Sequence, residues 1–150
     1  KMDNIPFRVF VMLGDGESAE GSLWEAIMSA GHHKLDNLIV IVDRNGLQVN
    51  GETAKIMDTS VLEEKYKAFG WAVRTIDGHD FNQIYDALSS VPFVKGKPSA
   101  IIADTIKCKG LSFAERKFEF HHWHFKENEV DGAIENVENS CREELVRVEK

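Results

Sequence analysis

The feature that most constrains the fold is a repeated alternation of short apolar runs with segments of helical periodicity. Runs typical of buried strands lie at 9–13, 38–43, 72–76 and 99–105, and helical patterns occupy 21–32, 61–69 and 81–91 between them. Alternating strands and helices form parallel sheets, because each connection must cross over the sheet. We therefore predict an α/β fold with an open, mainly parallel sheet and helices on both faces.

The last part of the chain shows a longer helical pattern, over 128–149. Its apolar residues recur every three or four positions and share one stripe: Val130, Ala133, Ile134, Val137, Cys141, Leu145 and Val148. This spacing predicts an amphipathic terminal helix that packs through the stripe.

Length and charge limit the possible functions. A chain of 150 residues fits a single domain over 1–150. Its net charge of -7, with no lysine- or arginine-rich run, argues against a nucleic-acid partner. The apolar runs are far shorter than a membrane span and no signal-peptide pattern opens the chain, so we expect a cytoplasmic protein without a membrane partner.

Two polar turns follow the first two predicted strands. Gly14-Asp15-Gly16 ends the first and Asp43-Arg44-Asn45-Gly46 ends the second. Open α/β sheets bind ligands at the carboxyl ends of their strands, so both turns are expected to border one crevice. The glycines permit unusual backbone angles and let N–H groups approach an anion, to which the start of the following helix adds its dipole. This pattern suits a phosphate.

The same turns offer oxygen ligands for a metal ion. The Asp15 carboxylate and the Asn45 amide oxygen are hard ligands that Mg²⁺ or Ca²⁺ accepts beside phosphate oxygens and a backbone carbonyl. Such an ion would supply the positive charge that an acidic chain lacks. Taken alone, a Gly-Asp-Gly turn after a strand is equally compatible with a tight turn that binds nothing.

A longer stretch of sequence narrows the choice. Residues 14–51 read GDGESAEGSLWEAIMSAGHHKLDNLIVIVDRNGLQVNG, and they place Asn45 thirty residues after Asp15. This segment resembles the thiamine diphosphate signature of transketolases, including Glu20-Gly21 and Glu25-Ala26. The resemblance extends more weakly through 70–71, 77–80, 97–99 and 109–113. The chain thus resembles the diphosphate-binding N-terminal subunit of split transketolases.

That resemblance implies a thiamine diphosphate-binding fold, incomplete at its N-terminal side, and a set of cofactor contacts. Asp15, Asn45 and the carbonyl of Leu47 would hold Mg²⁺, with Ca²⁺ as an alternative. The residues implied at the cofactor are Gly14, Asp15, Gly16, Glu17, Asn45, Leu47 and His124. By the same resemblance, Glu20 and Glu25 would join a carboxylate network near a subunit interface, and Glu20 would take part in catalysis.

A histidine-rich segment falls where transketolases carry a histidine that contacts diphosphate and substrate. His121, His122 and His124 compete for this role, and Phe125 stands where the family often has glycine, so the register is open. We take His124 first and His122 second. A zinc site is the alternative, although no cysteine lies at the short spacing such sites prefer. A cluster of aromatic and histidine side chains without a ligand is another.

The residues after the second turn have little to hold them in place. Residues 46–56 combine glycines and asparagine with no apolar stripe, which predicts a loop that is mobile without ligand. In transketolases, the matching loop orders when cofactor and metal bind.

The activity that the resemblance implies is transfer of a two-carbon ketol unit between sugar phosphates. It requires a pyrimidine-binding domain, and we find neither that domain nor the family's upstream Gly-His-Gly segment in these residues. We therefore expect one truncated diphosphate-binding domain that works with a pyrimidine-domain subunit in a homo- or hetero-oligomer. A component of another thiamine diphosphate enzyme is an alternative, and so is a non-catalytic remnant or interaction subunit of the same fold.

Overall fold

The computed structural model describes residues 5–124, 126 and 129–148, and describes side chains in the final helix only as far as Arg142. Phe125 and the ends of the predicted terminal segment, at 128 and 149, lie outside the described residues. The strands are β1 (Val9–Gly14), β2 (Leu38–Arg44), β3 (Leu47–Gln48), β4 (Gly51–Glu52), β5 (Ala72–Asp77) and β6 (Ser99–Asp104). The α-helices are α1 (Gly21–His32), α2 (Thr53–Ile56), α3 (Leu62–Ala68), α4 (Phe81–Ser89) and α5 (Val130–Val148).

Four strands form one parallel sheet in the order β1-β2-β6-β5. In its register Gly14 is opposite Asp43, and Asp104 is opposite both Arg44 and Asp77. The turns that follow the strands therefore leave the sheet at the same edge. This arrangement confirms the predicted α/β class and the parallel sheet.

One face of the sheet is covered by α1 and α3. Ile27 and Ala30 of α1, with Leu62 and Tyr66 of α3, are at most 3% exposed and pack over β1, β2 and β6. Trp71 joins them and donates its indole N–H to the carbonyl oxygen of Ile27, 2.9 Å away. The packed helix α1 holds the turn at 14–16 against the end of the sheet.

Close backbone contact fixes the other end of α1. A Cβ atom on Gly31 would lie 1.9 Å from the carbonyl oxygen of Phe69, just after α3. Only glycine lets the helix approach this turn so closely, because any side chain would overlap backbone atoms. The glycine therefore sets the spacing between α1 and the turn that leads into β5.

The second face is covered only in part. Helix α4 packs Ala87 against β5 and β6, but Phe10 is 45% exposed and Met12 69% exposed on β1. An apolar groove of about 300 Å³ runs between Met12 and the α4 residues Ile84 and Leu88. Parallel sheets are normally covered on both faces, so this half of the face is the least protected part of the core.

Two predicted segments differ from expectation. Residues 46–56 contain the antiparallel β3–β4 hairpin and the single turn α2, where we predicted a loop. Its mobility without ligand stays a prediction. The terminal helix forms, but the described part of its stripe does not pack closely, since Val130, Ile134 and Val137 are 41%, 53% and 40% exposed. The side chains of Leu145 and Val148 lie outside the described residues. No described helix combines the length and apolar character that crossing a bilayer requires.

Candidate functional site

Asp15 lies at the centre of the predicted site, at the carboxyl end of β1. Its residue is 3% exposed. Oδ1 accepts the N–H of Gly16 at 2.8 Å, while Oδ2 accepts the N–H of Gly46 at 2.8 Å and the Thr53 hydroxyl at 3.4 Å. Within residues 5–124, no positively charged side chain pairs with this carboxylate. A carboxylate has about four lone-pair positions, so these bonds leave room for a cation.

Burial raises the pKa of the Asp15 carboxyl group above its ordinary value. Hydrogen bonds from Gly46, Gly16 and Thr53 oppose the shift, and the negative charge of Asp43 adds to it. Asp43 is the last but one residue of the neighbouring strand β2 and accepts a hydrogen bond from the Thr105 hydroxyl. Two carboxylates thus share one sheet edge, and a divalent cation would relieve the cost of keeping the buried one charged.

The other two predicted metal ligands adjoin Asp15. Asn45 Oδ1 accepts the N–H of Leu47 at 3.0 Å, which closes a tight turn, and the intervening Gly46 donates to Asp15. The structure thus brings Asp15, Asn45 and Leu47 together through direct hydrogen bonds between their turns. All three are oxygen donors of the kind that Mg²⁺ and Ca²⁺ prefer. The residues fit the predicted ion.

The glycine turn differs from expectation in its backbone. Gly16 has φ -64°, an ordinary helical value, and neither Gly14 nor Gly16 adopts a positive φ. A short 3₁₀ turn at Glu17–Ala19 also separates the glycines from α1. The reason for glycine at 16 is space: an added Cβ would lie 2.8 Å from both Cβ and Oε1 of Gln48.

Glu17 accepts a hydrogen bond from a backbone N–H group that a bound phosphate could otherwise use. Its Oε2 accepts the N–H of Gly14 at 3.1 Å, and the residue is exposed. A carboxylate in this position takes the donor that an anionic ligand would need, so a bound diphosphate has to compete with Glu17 or use other donors. In the structure Glu17 makes a hydrogen bond within the turn, and its contact with the cofactor stays a prediction.

The β3–β4 hairpin covers the turn and supplies residues that the sequence did not suggest. Gln48 lies over Gly16, and its Nε2 atom is buried without a hydrogen-bond partner in the described part of the chain. Thr53 bonds the Asp15 carboxylate, and the Thr59 hydroxyl donates to the Asp15 carbonyl oxygen at 3.3 Å. Both threonines are buried. Thr53 begins α2 and Thr59 follows it, and isolated polar residues after the hairpin give no sequence signal of this role.

A charged group holds the end of β2. The Arg44 guanidinium donates to Asp104 through Nε at 2.5 Å and Nη2 at 3.0 Å, and to Glu63 through Nη1 at 2.8 Å. The hydrogen bond to Asp104 raises the pKa of Arg44. Burial alone would raise the pKa of the Glu63 carboxyl group, but hydrogen bonds from Thr75 and Arg44 outweigh burial and lower it. Asn45 therefore follows a fixed strand end.

The histidine segment lies beside the hairpin. Residues Phe118–His122 form a 3₁₀ helix that contacts β3 and β4. His121, His122 and His124 are all exposed. Burial, together with nearby Lys107 and His122, lowers the pKa of His121. The segment is thus near the predicted site. Among the described residues, no group of three His, Cys, Asp or Glu side chains is arranged to hold a metal ion, so the zinc alternative gains no support from them.

Glu20 and Glu25 lie on the solvent side at the start of α1. Both residues are exposed, and Glu20 precedes the first residue of the helix. Trp24 between them is half-buried and donates its indole N–H to the carbonyl oxygen of Ser18 at 2.8 Å. This contact ties α1 to the 3₁₀ turn and fixes where the two glutamates emerge.

Comparison with known proteins identifies the family. The domain described as "Transketolase, thiamine diphosphate binding domain" matches residues 2–143. The 6-deoxy-6-sulfo-D-fructose transketolase subunit SqwG of Clostridium sp. (strain MSTE9) is 42% identical over 138 residues, which are 92% of this chain and 50% of that protein. An apulose-4-phosphate transketolase subunit of Actinobacillus succinogenes is 43% identical over 132 residues, which are 88% of this chain and 48% of that protein.

Comparison with solved structures indicates the same family. A crystal structure of transketolase from Campylobacter jejuni superposes with a TM-score of 0.72 and 34% identity, over 78% of this chain and 18% of that one. The chain spans about half the length of the curated transketolase subunits that it matches. From the family match, these relatives and the parallel sheet with its paired polar turns, the chain belongs to the transketolase thiamine diphosphate-binding domain family.

Proposed function

We propose that this chain supplies the diphosphate- and Mg²⁺-binding half of a transketolase-type active site, in which a two-carbon ketol unit passes between sugar phosphates. The observation that carries the proposal is Asp15. It is a buried carboxylate with hydrogen-bond donors on both oxygens and no cationic partner in the described chain, at the edge where parallel sheets bind ligands.

The metal ligands in this proposal are Asp15, Asn45 and the carbonyl oxygen of Leu47. Magnesium demands oxygen ligands in a near-ideal octahedron and commonly combines protein oxygens with substrate phosphates. Asp15 supplies negative charge, and its hydrogen bonds to Gly16 and Gly46 orient the carboxylate before the ion binds. Calcium fits the same oxygen set, with looser geometry.

Each group near the proposed diphosphate site has a separate role in binding the cofactor. The domain family and the relatives support thiamine diphosphate as the cofactor, which stabilises the carbanion formed when a ketose carbon–carbon bond breaks. The Gly14–Gly16 turn would lie against the diphosphate, which would displace Glu17 from the Gly14 N–H or use other donors. The metal would neutralise charge that this acidic chain cannot. His124 or His122 would approach from the hairpin side, and Glu20 would act at a subunit interface.

The pyrimidine-binding part of the proposed site lies in another polypeptide region. We propose that residues 1–150 form one diphosphate-binding domain and that a pyrimidine-domain subunit completes the site in an oligomer. The relatives named above are described as transketolase subunits, which supports assembly with a second chain. Their names also give different substrates, a sulfofructose and an apulose phosphate, so the sugar that this chain serves is a separate question.

The test is calorimetric titration of thiamine diphosphate into the full chain with Mg²⁺, alone and with a candidate pyrimidine-domain subunit. We expect saturable heat that requires Mg²⁺ and is lost in Asp15→Ala. The matched control is Asp80→Ala, since Asp80 caps α4 through Asn82 and Gln83 and belongs to no part of the site. If both variants lose binding, or if neither variant loses it, the proposed role of Asp15 in metal binding is wrong. Absence of wild-type binding under every condition would favour a non-catalytic subunit.

A further inference from the structure

Gln48 carries a hydrogen-bond donor with no acceptor. Its Nε2 atom is buried, and no atom of the described chain accepts from it. A buried amide that loses its bonds to water without replacing them destabilises the folded state. Native structures contain few buried polar groups without a hydrogen-bond partner, and each such group calls for an explanation, such as a functional role or a bound water or ion. The cost requires an explanation specific to Gln48.

The position of Gln48 points to the explanation. The side chain lies over Gly16, so closely that a Cβ on that residue would be 2.8 Å from both Cβ and Oε1 of Gln48. The β3–β4 pairing, in which Gln48 is opposite Gly51, holds it there, and the hairpin is tied to Asp15 through Gly46 and Thr53. The side chain that carries the unpaired donor therefore lies beside the turn assigned to the diphosphate, with Cβ and Oε1 as its atoms nearest to Gly16.

The chemistry of the surroundings selects the ligand. Oxygen atoms of phosphates accept hydrogen bonds and donate none, which matches an amide nitrogen without an acceptor. The Gly14 N–H is already bonded to Glu17 and the Gly16 N–H to Asp15, so the turn has few free donors of its own. A neutral carboxamide adds a donor without adding charge beside the proposed metal site.

We propose that Gln48 Nε2 donates a hydrogen bond to an oxygen of the bound diphosphate and is the donor that makes the hairpin part of the cofactor site. This inference rests on the proposed function, because it assumes that a diphosphate occupies the Gly14–Gly16 turn. It also gives Gly16 a second role: the missing side chain leaves the space in which Gln48 lies.

Inorganic pyrophosphate with Mg²⁺ is the probe, since it carries the diphosphate without the thiamine. Titrations use the full chain, with the pyrimidine-domain subunit present and absent. Gln48→Met keeps the length of the side chain and removes the donor, so pyrophosphate should bind roughly tenfold to 100-fold more weakly, as for a lost bond to a charged acceptor. Gln48→Glu should bind more weakly still, because it places a carboxylate beside the phosphates.

Unfolding of the ligand-free variants provides an independent reading. Gln48→Met should unfold at the same urea concentration as the wild type or a higher one, because it removes an unpaired buried donor. The matched control is Gln83→Met: Gln83 Nε2 donates to Asp80 at 2.9 Å, far along the chain from the site. That variant should keep pyrophosphate affinity and lose stability.

The outcomes distinguish failure of this inference from failure of the proposed function. If wild-type protein binds Mg²⁺-pyrophosphate and Gln48→Met binds it equally well, the role of Gln48 is wrong and the proposed function stands. If Gln48→Met is destabilised as Gln83→Met is, the amide has a structural partner within the fold and the inference is overturned. If the wild type binds neither pyrophosphate nor thiamine diphosphate with Mg²⁺, both the inference and the proposed function fail.

Discussion

Gly31→Ala tests the close approach of α1 to the turn after α3. The new Cβ would lie 1.9 Å from the Phe69 carbonyl oxygen, whereas ordinary contact begins at 3.4 Å, so the atoms must separate by about 1.5 Å. Alanine gains about 1 kcal/mol over glycine as a helix former. Overpacking against backbone costs about 3 kcal/mol, the upper end of its usual range, because no side-chain rotation relieves it. We expect a net loss of about 2 kcal/mol.

Urea unfolding followed by tryptophan fluorescence measures this loss, and a thermal melt should show a decrease of roughly 4–8 °C in Tm for a domain of this size. Gly21→Ala is the matched control in the same helix, because nothing lies within 4 Å of its added Cβ. It should be neutral or stabilising by up to about 1 kcal/mol. Equal stability changes in the two variants, or a Gly31→Ala protein as stable as wild type, would refute the close-approach argument.

Three further predictions concern polar groups. Tyr66→Phe should leave the free energy of unfolding unchanged or raise it, because the buried Tyr66 hydroxyl has no partner in the described chain, and a clear loss in urea would contradict this. Arg44→Met should make stability depend less on pH in the acid range. The lowered pKa of Glu63 stabilises the folded state at pH values above 4.5, the ordinary pKa of this group, and this stabilisation is lost as the pH falls through the pKa of the folded state. Urea midpoints measured from acid to neutral pH test this, and parallel curves would contradict it. Asp80→Ala should cost about 1 kcal/mol by removing the cap of α4, seen as a lower Tm.

The sheet and its main helices follow from hydrophobic periodicity. The predicted range 21–32 matches α1 in the structure, and the four main strands differ from their predicted ranges by at most one residue at an end. Periodicity succeeds here because each element is long enough to bury an apolar face. The 3₁₀ turns and the β3–β4 hairpin escaped prediction, since elements of two to five residues bury little and leave no repeating pattern.

The site divides along similar lines. Asp15 and Asn45 were predictable, because the carboxyl ends of adjacent parallel strands must meet and their spacing matches a family signature. Thr53 and Gln48 were not, since both depend on how the hairpin folds back over the glycine turn. The unusual backbone angle predicted for Gly16 is wrong for the same reason: its φ is ordinary, and the restriction comes from Gln48, thirty-two positions away. The approach of its N–H to an anion stays a prediction.

The bonds from Gly46 and Thr53 to Asp15 would couple the order of the hairpin to the affinity for the proposed cation. The same carboxylate that would hold the ion also holds the hairpin. Thermodynamic linkage then requires that any factor by which the ion changes the population of the closed hairpin equals the factor by which closing the hairpin changes ion affinity. Substitutions in 49–56 that do not contact the metal are therefore expected to change its affinity.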